Sequence, residues 1–314
     1  MFEGSSLAVV GNINRDVKTS PVRSGTHLLA DGETSTAGIT ETIGGGGANS
    51  AFAAAALGAR VAFAGKVGTD ALAGRLERSM KGQGIRSHLC RDGVHPSGTS
   101  IALAFDNGHR HFVSCLPASE SLVFEDIDLH VLDGARHLLR ADVWFSEAML
   151  NGGNEQLFKA AREKEVPVSL DLNWDPKWGQ ADGEVIARRK QAVREVLPLV
   201  TLAHGNAREL MEFADAPDLQ GALQRIAGWG VQAVVVHLGA QGAGWYEGGK
   251  FIVEPPVPAR AQVHCTGTGD VLSVCMMLLH QRQDLPVVER LRLANGVVSR
   301  FMEGSLSLIP GVAD

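Results

Sequence analysis

Short apolar runs rich in β-branched residues alternate with longer amphipathic stretches along most of this chain. The runs predict buried strands at residues 7–10, 61–64, 143–145, 166–170, 200–203 and 233–238. Between them apolar residues recur at helical spacing, as where Leu72, Leu76 and Met80 follow Asp70, a candidate N-cap. Strands that are apolar throughout are buried on both faces, and strand–helix alternation is typical of parallel sheets. We therefore predict an α/β fold with a doubly wound, mostly parallel sheet flanked by helices.

Two segments depart from this alternation. Residues 98–114 contain two strand-like runs on either side of Asn107 and Gly108, a pair typical of a type I′ hairpin turn. Residues 15–43 are rich in Thr and Gly and show little helical periodicity. We predict that segments at about 15–43 and 98–115 form a small β lid inserted in a single domain of residues 1–314.

Charge and targeting signals narrow the classes of protein that fit. The chain has 29 Lys and Arg against 35 Asp and Glu, and this net charge of -6 gives no electrostatic basis for binding nucleic acid or an anionic membrane. The N-terminus lacks a basic start followed by an apolar run, and the apolar stretch 271–279 is too short to span a bilayer. The four cysteines include no CxxC pair, which fits reduced thiols. We expect a cytoplasmic protein without nucleic-acid or membrane partners.

Polar residues follow most of the predicted strands. In open parallel sheets, ligands bind outside the carboxyl ends of the strands. The candidates at this edge are residues 12–16, Glu147, 171–175, 206–209 and 239–242.

The strongest chemical signal is the segment 264–270, HCTGTGD, which precedes the apolar run VLSVCMMLL. Its glycines suit a tight turn and the apolar run suits a buried helix, whose first amides and dipole would bind an anion. An ionised Asp270 beside such an anion site could accept the proton of a hydroxyl that is being phosphorylated. Taken alone, the segment also fits a Gly-rich turn with Asp270 as a helix cap.

A second signal is GGGGANSA at residues 44–51. Its glycines allow a ligand to approach the backbone, and Asn49 can both donate to and accept from a polyol. A flexible turn before an Ala-rich helix remains the alternative. Asn49 occupies the third small position of a dinucleotide fingerprint, which excludes that motif, and the chain contains no GxxxxGK[ST] phosphate loop.

Together these motifs resemble those of the ribokinase-like (PfkB) carbohydrate kinases, in the family's order and over nearly the whole chain. The matching segments are 11–16 (G-x-N-x-D), 32–34 (GET), 44–51 (GGxGANxA), 65–74 (GxVGxDxxG), 206–209 (N-x-x-E), 238–242 (LGxxG) and 264–270 (DTxGAGD).

The resemblance implies phosphorylation of a hydroxyl on a small sugar or sugar-like substrate, with ATP and Mg²⁺ as cofactors and a homodimer formed through the lid. It assigns catalysis to Asp270 as general base and to an anion hole of Gly267, Thr268 and Gly269. It assigns substrate binding to Asn14, Asp16, Gly45, Gly46, Gly47, Asn49 and Glu147. It assigns ATP binding to Asn206, Glu209, His237, Gly239, Gly242 and Asn295, with Glu209 also holding Mg²⁺ through water.

Departures from the family pattern leave alternatives open. His264 replaces an Asp that helps relatives bind an activating monovalent cation, and imidazole is a poor ligand for a hard alkali ion. Asp175 replaces the Arg of a D-x-N-x-R-P stretch, which disfavours an anionic sugar that relies on that Arg. The basic run 188–190 is predicted to be a solvated helix face. A nucleoside kinase of the same fold is one alternative, and a degenerate ligand-binding member, suggested by His264 and Thr268, is another.

Overall fold

The computed structural model describes residues 2, 4–260 and 267–304. The strands in these residues are β1 (Ser6–Val10), β2 (Asn14–Thr19), β3 (Ile39–Gly44), β4 (Arg60–Gly68), β5 (Arg86–Asp92), β6 (Gly98–Ala104), β7 (Arg110–Cys115), β8 (Leu138–Arg140), β9 (Val168–Asp171), β10 (Leu202–Asn206), β11 (Ala233–His237), β12 (Ala243–Glu247) and β13 (Lys250–Glu254). The α-helices in them are α1 (Gly46–Ala56), α2 (Ala71–Gly82), α3 (Pro117–Glu120), α4 (Asn154–Glu163), α5 (Gly183–Val196), α6 (Ala207–Ala214), α7 (Leu219–Gly228), α8 (Thr268–His280) and α9 (Val287–Met302).

The larger sheet has the strand order β13-β12-β11-β10-β9-β8-β1-β4-β5. Its strands are parallel from β11 to β5, and β12 and β13 extend it in antiparallel fashion. One face packs against α1, α2, α8 and α9 and the other against α4 to α7, with a separate apolar cluster on each side. The predicted doubly wound α/β fold is confirmed. No helix in the described part of the chain combines the length and apolarity needed to cross a membrane.

Five of the six predicted strands are present, but the prediction at residues 143–145 is wrong. The strand at this place in the sheet is β8, five residues earlier, and 143–145 form a turn. Val143 and Trp144 are apolar because the turn itself packs into the core. Arg140, buried within β8, interrupted the apolar pattern; its Nε donates to Oδ1 of Asn154 at 2.8 Å.

The segments that broke the alternation form a second sheet in the order β3-β2-β6-β7. The predicted hairpin at 98–114 is present as β6 and β7, but its turn is not type I′. Such a turn needs positive φ at both central residues, whereas φ in this turn is positive at Gly108 (82°) and not at Asn107. Phe105 N donates to His109 O at 2.9 Å, and Gly108 N donates to Phe105 O at 3.0 Å, so the loop has three residues with glycine at the bulge position.

Candidate functional site

The Gly-rich segment lies where the two sheets meet. Asn14, the first residue of β2, is paired with Gly44 on one side and Gly98 on the other. Helix α1 begins at Gly46, preceded by Gly45 with φ of 95°. A Cβ on Gly45 would lie 2.4 Å from the carbonyl oxygen of Asn12, so the turn accepts only glycine there. The candidate substrate ligands of β2 and those at the start of α1 thus lie next to each other.

Asp142, which the sequence reasoning missed, fixes this segment. Its Oδ2 accepts from the amides of Asn12 at 2.9 Å and Gly47 at 2.8 Å, and its Oδ1 accepts from the amide of Gly46 at 3.1 Å. The residue is buried and has φ of 55°, a left-handed conformation that few non-glycine residues adopt. The signal available was an acid directly after a buried strand, and it was hidden because the strand was predicted at 143–145.

Asp270 lies in the first turn of α8, as predicted, next to the Gly-rich segment. Asn49 Nδ2 donates to Oδ2 of Asp270 at 3.2 Å, across 221 residues of sequence. Within the described residues, nothing donates to the buried Oδ1 of Asn49. Gly267, the N-cap of α8, has φ of 85° and no side chain that could accept from the amides of Thr268 and Gly269. The two strongest motifs therefore lie together, and they provide Asn49 Oδ1 as an acceptor for a hydroxyl and an N-terminus of α8 without a side-chain cap.

Carboxylates crowd this region. Burial, together with the negative charges of Asp142, Glu209 and Asp16, raises the pKa of Asp270 to about 7, against the opposing hydrogen bond from Asn49. Burial also raises the pKa of Asp171 well above its ordinary value, with Asp270 and Glu209 contributing. The mutual repulsion indicates a site whose acids require either protons or a cation.

The small sheet contributes a polar group to the same region. Asn14 Nδ2 donates to Oδ1 of Asp16 at 2.8 Å, and Lys18 Nζ lies 3.7 Å from Oδ2 of Asp16. Burial raises the pKa of Asp16, and the Lys18 charge opposes the shift. Asn14 and Asp16, predicted as substrate ligands, are both buried on the face that includes Ser100.

Glu147, the last predicted substrate ligand, belongs to a separate ion-pair cluster. It pairs with Arg189 of α5, which also binds Asp175 through Nε at 2.8 Å and Nη2 at 3.1 Å. Of the predicted solvated face at 188–190, only Arg188 is exposed; the prediction is wrong for Arg189 and Lys190, which are each 3% exposed. Their charges are satisfied by carboxylates distant in sequence, which a local charge run does not show. Asp175 is 0% exposed and paired with Arg189, so its charge is satisfied within the protein.

Among the predicted nucleotide contacts, Asn206 and Glu209 cap α6. Glu209 N donates to Asn206 Oδ1 at 2.9 Å, and Asn206 N donates to Glu209 Oε2 at 2.8 Å. Gly239 and Gly242 bound the turn between β11 and β12; a Cβ on Gly242, where φ is 96°, would lie 2.2 Å from the oxygen of Glu254. The backbones of Gly242 and Glu254 therefore lie close together, and only glycine fits at position 242.

The other two candidate nucleotide ligands, His237 and Asn295, contact other groups of the protein. His237 Nε2 is 3.0 Å from Oγ of Ser273 on α8, and burial lowers the pKa of His237 to about 4, so its ring is neutral at pH 7. Asn295 Nδ2 donates to the carbonyls of Glu254 at 3.0 Å and Pro255 at 2.9 Å, which anchors the end of β13 to α9. His264, on which the monovalent-cation question depends, lies outside the described residues.

Comparisons with known proteins identify the family and the fold of this chain. The model of the family described as pfkB family carbohydrate kinase matches residues 5–298. A fructokinase from Vibrio alginolyticus is 23% identical over 293 residues, covering 90% of this chain and 92% of the relative. The Arabidopsis thaliana ribokinase solved with ribose and ATP superposes with a TM-score of 0.72 at 22% identity, covering 96% and 93% of the two chains. An E. coli protein described as a ribokinase II, solved with ATP and Mg²⁺, superposes with a TM-score of 0.77 at 17% identity and 96% coverage of each chain.

The structural likenesses establish a ribokinase-like fold. The family match shows that this chain belongs to the pfkB family of carbohydrate kinases, which are phosphotransferases with an alcohol acceptor.

Proposed function

We propose that this protein transfers the γ-phosphoryl group of ATP to a hydroxyl of a small sugar or sugar-like substrate, with Asp270 as the general base. The observation that carries the proposal is the meeting of Asn49 with Asp270 at the N-terminus of α8. It joins a group that can hold a hydroxyl, a carboxylate with a pKa of about 7, and helix amides suited to an anion.

Substrate hydroxyls bind the polar groups at the junction of the two sheets. The carboxylate of Asp16 and Oδ1 of Asn49, to which no group among the described residues donates, accept hydrogen bonds from them. The amides of Gly46 and Gly47 are held in place by Asp142. One hydroxyl lies against Asp270, which takes its proton as the oxygen attacks phosphorus. The proton ends on the carboxylate of Asp270, and no covalent intermediate with the enzyme is required. The small sheet covers the substrate and keeps water from competing as acceptor.

The residues present fit ATP and Mg²⁺. The amides of Gly267, Thr268 and Gly269 would face the transferring phosphoryl group, and the turn at Gly239 and Gly242 lies at the same edge of the sheet. The described residues contain no group of three or more His, Cys, Asp or Glu side chains arranged around a metal. Mg²⁺ commonly binds one or two carboxylates together with phosphate oxygens and water. Glu209 and Asp171 repel each other electrostatically and would provide such carboxylates. When bound, Mg·ATP supplies the phosphoryl group and offsets its charge.

A coupled ADP-release assay with Mg·ATP against sugars, sugar acids, sugar phosphates and nucleosides tests the function. Acceptor-dependent ADP release from a sugar is expected. A preference for nucleosides would replace the substrate class and leave the mechanism intact. Silence across the panel from folded protein, with ATP still bound, would favour the degenerate ligand-binding alternative. Runs with and without K⁺ address the monovalent cation; because of His264 we expect K⁺ independence.

The pH dependence of turnover follows from Asp270. The carboxylate works as a base only when ionised, and with a pKa of about 7 only about 1% is ionised at pH 5. We therefore expect kcat/KM to rise tenfold per pH unit up to about pH 7 and then to level off. A pH–rate profile between 5 and 9 measures this, with the coupling enzymes checked separately. A profile that is flat from pH 5 to 7 would contradict the assignment of Asp270.

We also propose a homodimer through the small sheet. On the face opposite Asp16, apolar side chains are exposed, and Ile39, Ile101 and Val113 are 64%, 43% and 57% exposed. Ile101 and Val113 are cross-strand partners, so they form a continuous apolar surface of the kind that marks interaction sites. Light scattering coupled to size exclusion gives the mass in solution, and a monomer at micromolar concentration would exclude this assembly.

A further inference from the structure

We propose that Arg189 of α5 is a positioning residue that holds the carboxylate of Glu147 in place for substrate. The inference rests on the proposed function and extends it to Glu147, which the family resemblance assigns to substrate hydroxyls.

The guanidinium of Arg189 is held on several sides. Its Nε and Nη2 donate to the two carboxylate oxygens of Asp175 at 2.8 and 3.1 Å, a bidentate contact. Nη2 also donates to the carbonyl of Trp144, and Nη1 donates to Oε1 of Glu147. Four of its five N–H donors are thereby used, so the planar group has one orientation and presents one edge to Glu147.

The two carboxylates that contact Arg189, those of Asp175 and Glu147, differ in burial. Asp175 is 0% exposed and Arg189 is 3% exposed, whereas the side chain of Glu147 is 51% exposed. Arg189 is therefore too deeply buried to bind substrate itself, and Asp175 serves as its inner anchor. Glu147 is the member of the cluster that reaches solvent. The contact from Nη1 fixes one of its oxygens and leaves the other available to accept from a hydroxyl.

Lys190, the next residue of α5, provides a matched control. Its side chain is also buried, at 4% exposure, and also bridges two carboxylates, Glu212 at 2.9 Å and Asp215 at 2.7 Å. Neither of these partners belongs to the proposed substrate residues. Loss of Arg189 leaves Asp175 buried without a cation, whereas Glu212 and Asp215 are 42% and 58% exposed and can be solvated when Lys190 is lost. The two losses therefore differ in stability, and the acceptor KM is the measurement that tests a role in substrate binding.

The experiment compares Arg189→Met, Arg189→Lys and Lys190→Met by thermal melting and by steady-state kinetics with both substrates. Both Met variants should melt lower. Arg189→Met should raise KM for the acceptor by about 10- to 100-fold with KM for ATP within about twofold, as for supporting residues that orient a ligand. Lys190→Met should leave both KM values within about twofold. Arg189→Lys should fall between Arg189→Met and the wild type, because it keeps the charge but loses the bidentate contact.

Equal acceptor KM values in Arg189→Met and Lys190→Met would overturn the positioning role. Should Arg189→Met fail to fold, a cycle of Arg189→Lys and Glu147→Gln decides the matter. Non-additive effects of the two changes on the acceptor KM would support the positioning role, because both changes act through one contact. Fully additive effects would overturn it. A wild-type protein that phosphorylates no acceptor would instead overturn the proposed function, so the two failures are distinguishable.

Discussion

Asp270→Asn is expected to lower kcat by about 10²- to 10⁴-fold, the contribution of a positioned general base, with acceptor and ATP affinities changed only a few-fold. The amide oxygen of the new side chain can still accept from Asn49 Nδ2, which now donates to Asp270 at 3.2 Å, so the local geometry should persist. Single-turnover kinetics and calorimetric binding separate chemistry from affinity. Asp284→Asn, which removes an exposed carboxylate beyond the other end of α8, is the control and should turn over normally. Near-normal turnover by Asp270→Asn would remove this residue from the mechanism.

The same variant should be at least as stable as the wild type at pH 8. Asp270 has a higher pKa in the folded protein than in the unfolded chain, so the unfolded state binds fewer protons between about pH 4 and 7. The stability contributed by the protonated form is complete below pH 4 and is lost as the pH rises through about 7. Replacement by a neutral amide removes this loss, and we expect a higher Tm at pH 8 and a smaller difference at pH 5. A lower Tm at pH 8 would indicate that the ionised carboxylate is a structural group.

The sequence predicted the parts of this site that depend on local chemistry. Glycines followed by an apolar helical run are recognisable within a few positions of sequence, and this placed Asn49 and Asp270 correctly near the N-termini of α1 and α8. The family resemblance assigned both residues to one substrate site, but their direct contact across 221 positions was not predicted. The helix N-cap at Asp70 was also correct, because its bond to Ala73 N spans three residues.

Two of the errors, the strand predicted at 143–145 and the solvated face predicted at 188–190, share one physical cause. Arg140, Arg189 and Lys190 are buried cations, and in a linear pattern a charged residue indicates solvent. Each is buried because its partners come from other elements, which neither periodicity nor charge runs can show. The misread Arg140 shifted a predicted strand, and the shifted strand hid Asp142. The polar residues that support a site from behind are therefore harder to predict than those that face the ligand.

Asp142→Ala is expected to destabilise the protein by about 3–5 kcal/mol and to raise KM for the acceptor more than tenfold. The change leaves the amides of Asn12, Gly46 and Gly47 without their acceptor, and two of these three hydrogen bonds are buried. Part of the loss is offset, since burial raises the pKa of Asp142 and its ionised form is costly to bury. Urea unfolding gives the free energy, and initial rates give KM.

Backbone strain at Asp142 can be separated from its hydrogen bonds. Its φ of 55° is shared by Glu165, which is exposed, so Glu165→Ala keeps the left-handed backbone without losing buried contacts and should cost within about 0.5 kcal/mol. Asp142→Gly should be about 1 kcal/mol more stable than Asp142→Ala, because glycine adopts positive φ freely. Unfolding free energies of Asp142→Ala and Glu165→Ala that fall by the same small amount would show that the carboxylate does not hold the Gly-rich segment. A large loss in Asp142→Ala alone, with weakened acceptor binding, would mean that this buried acid shapes the substrate site through the backbone that it fixes.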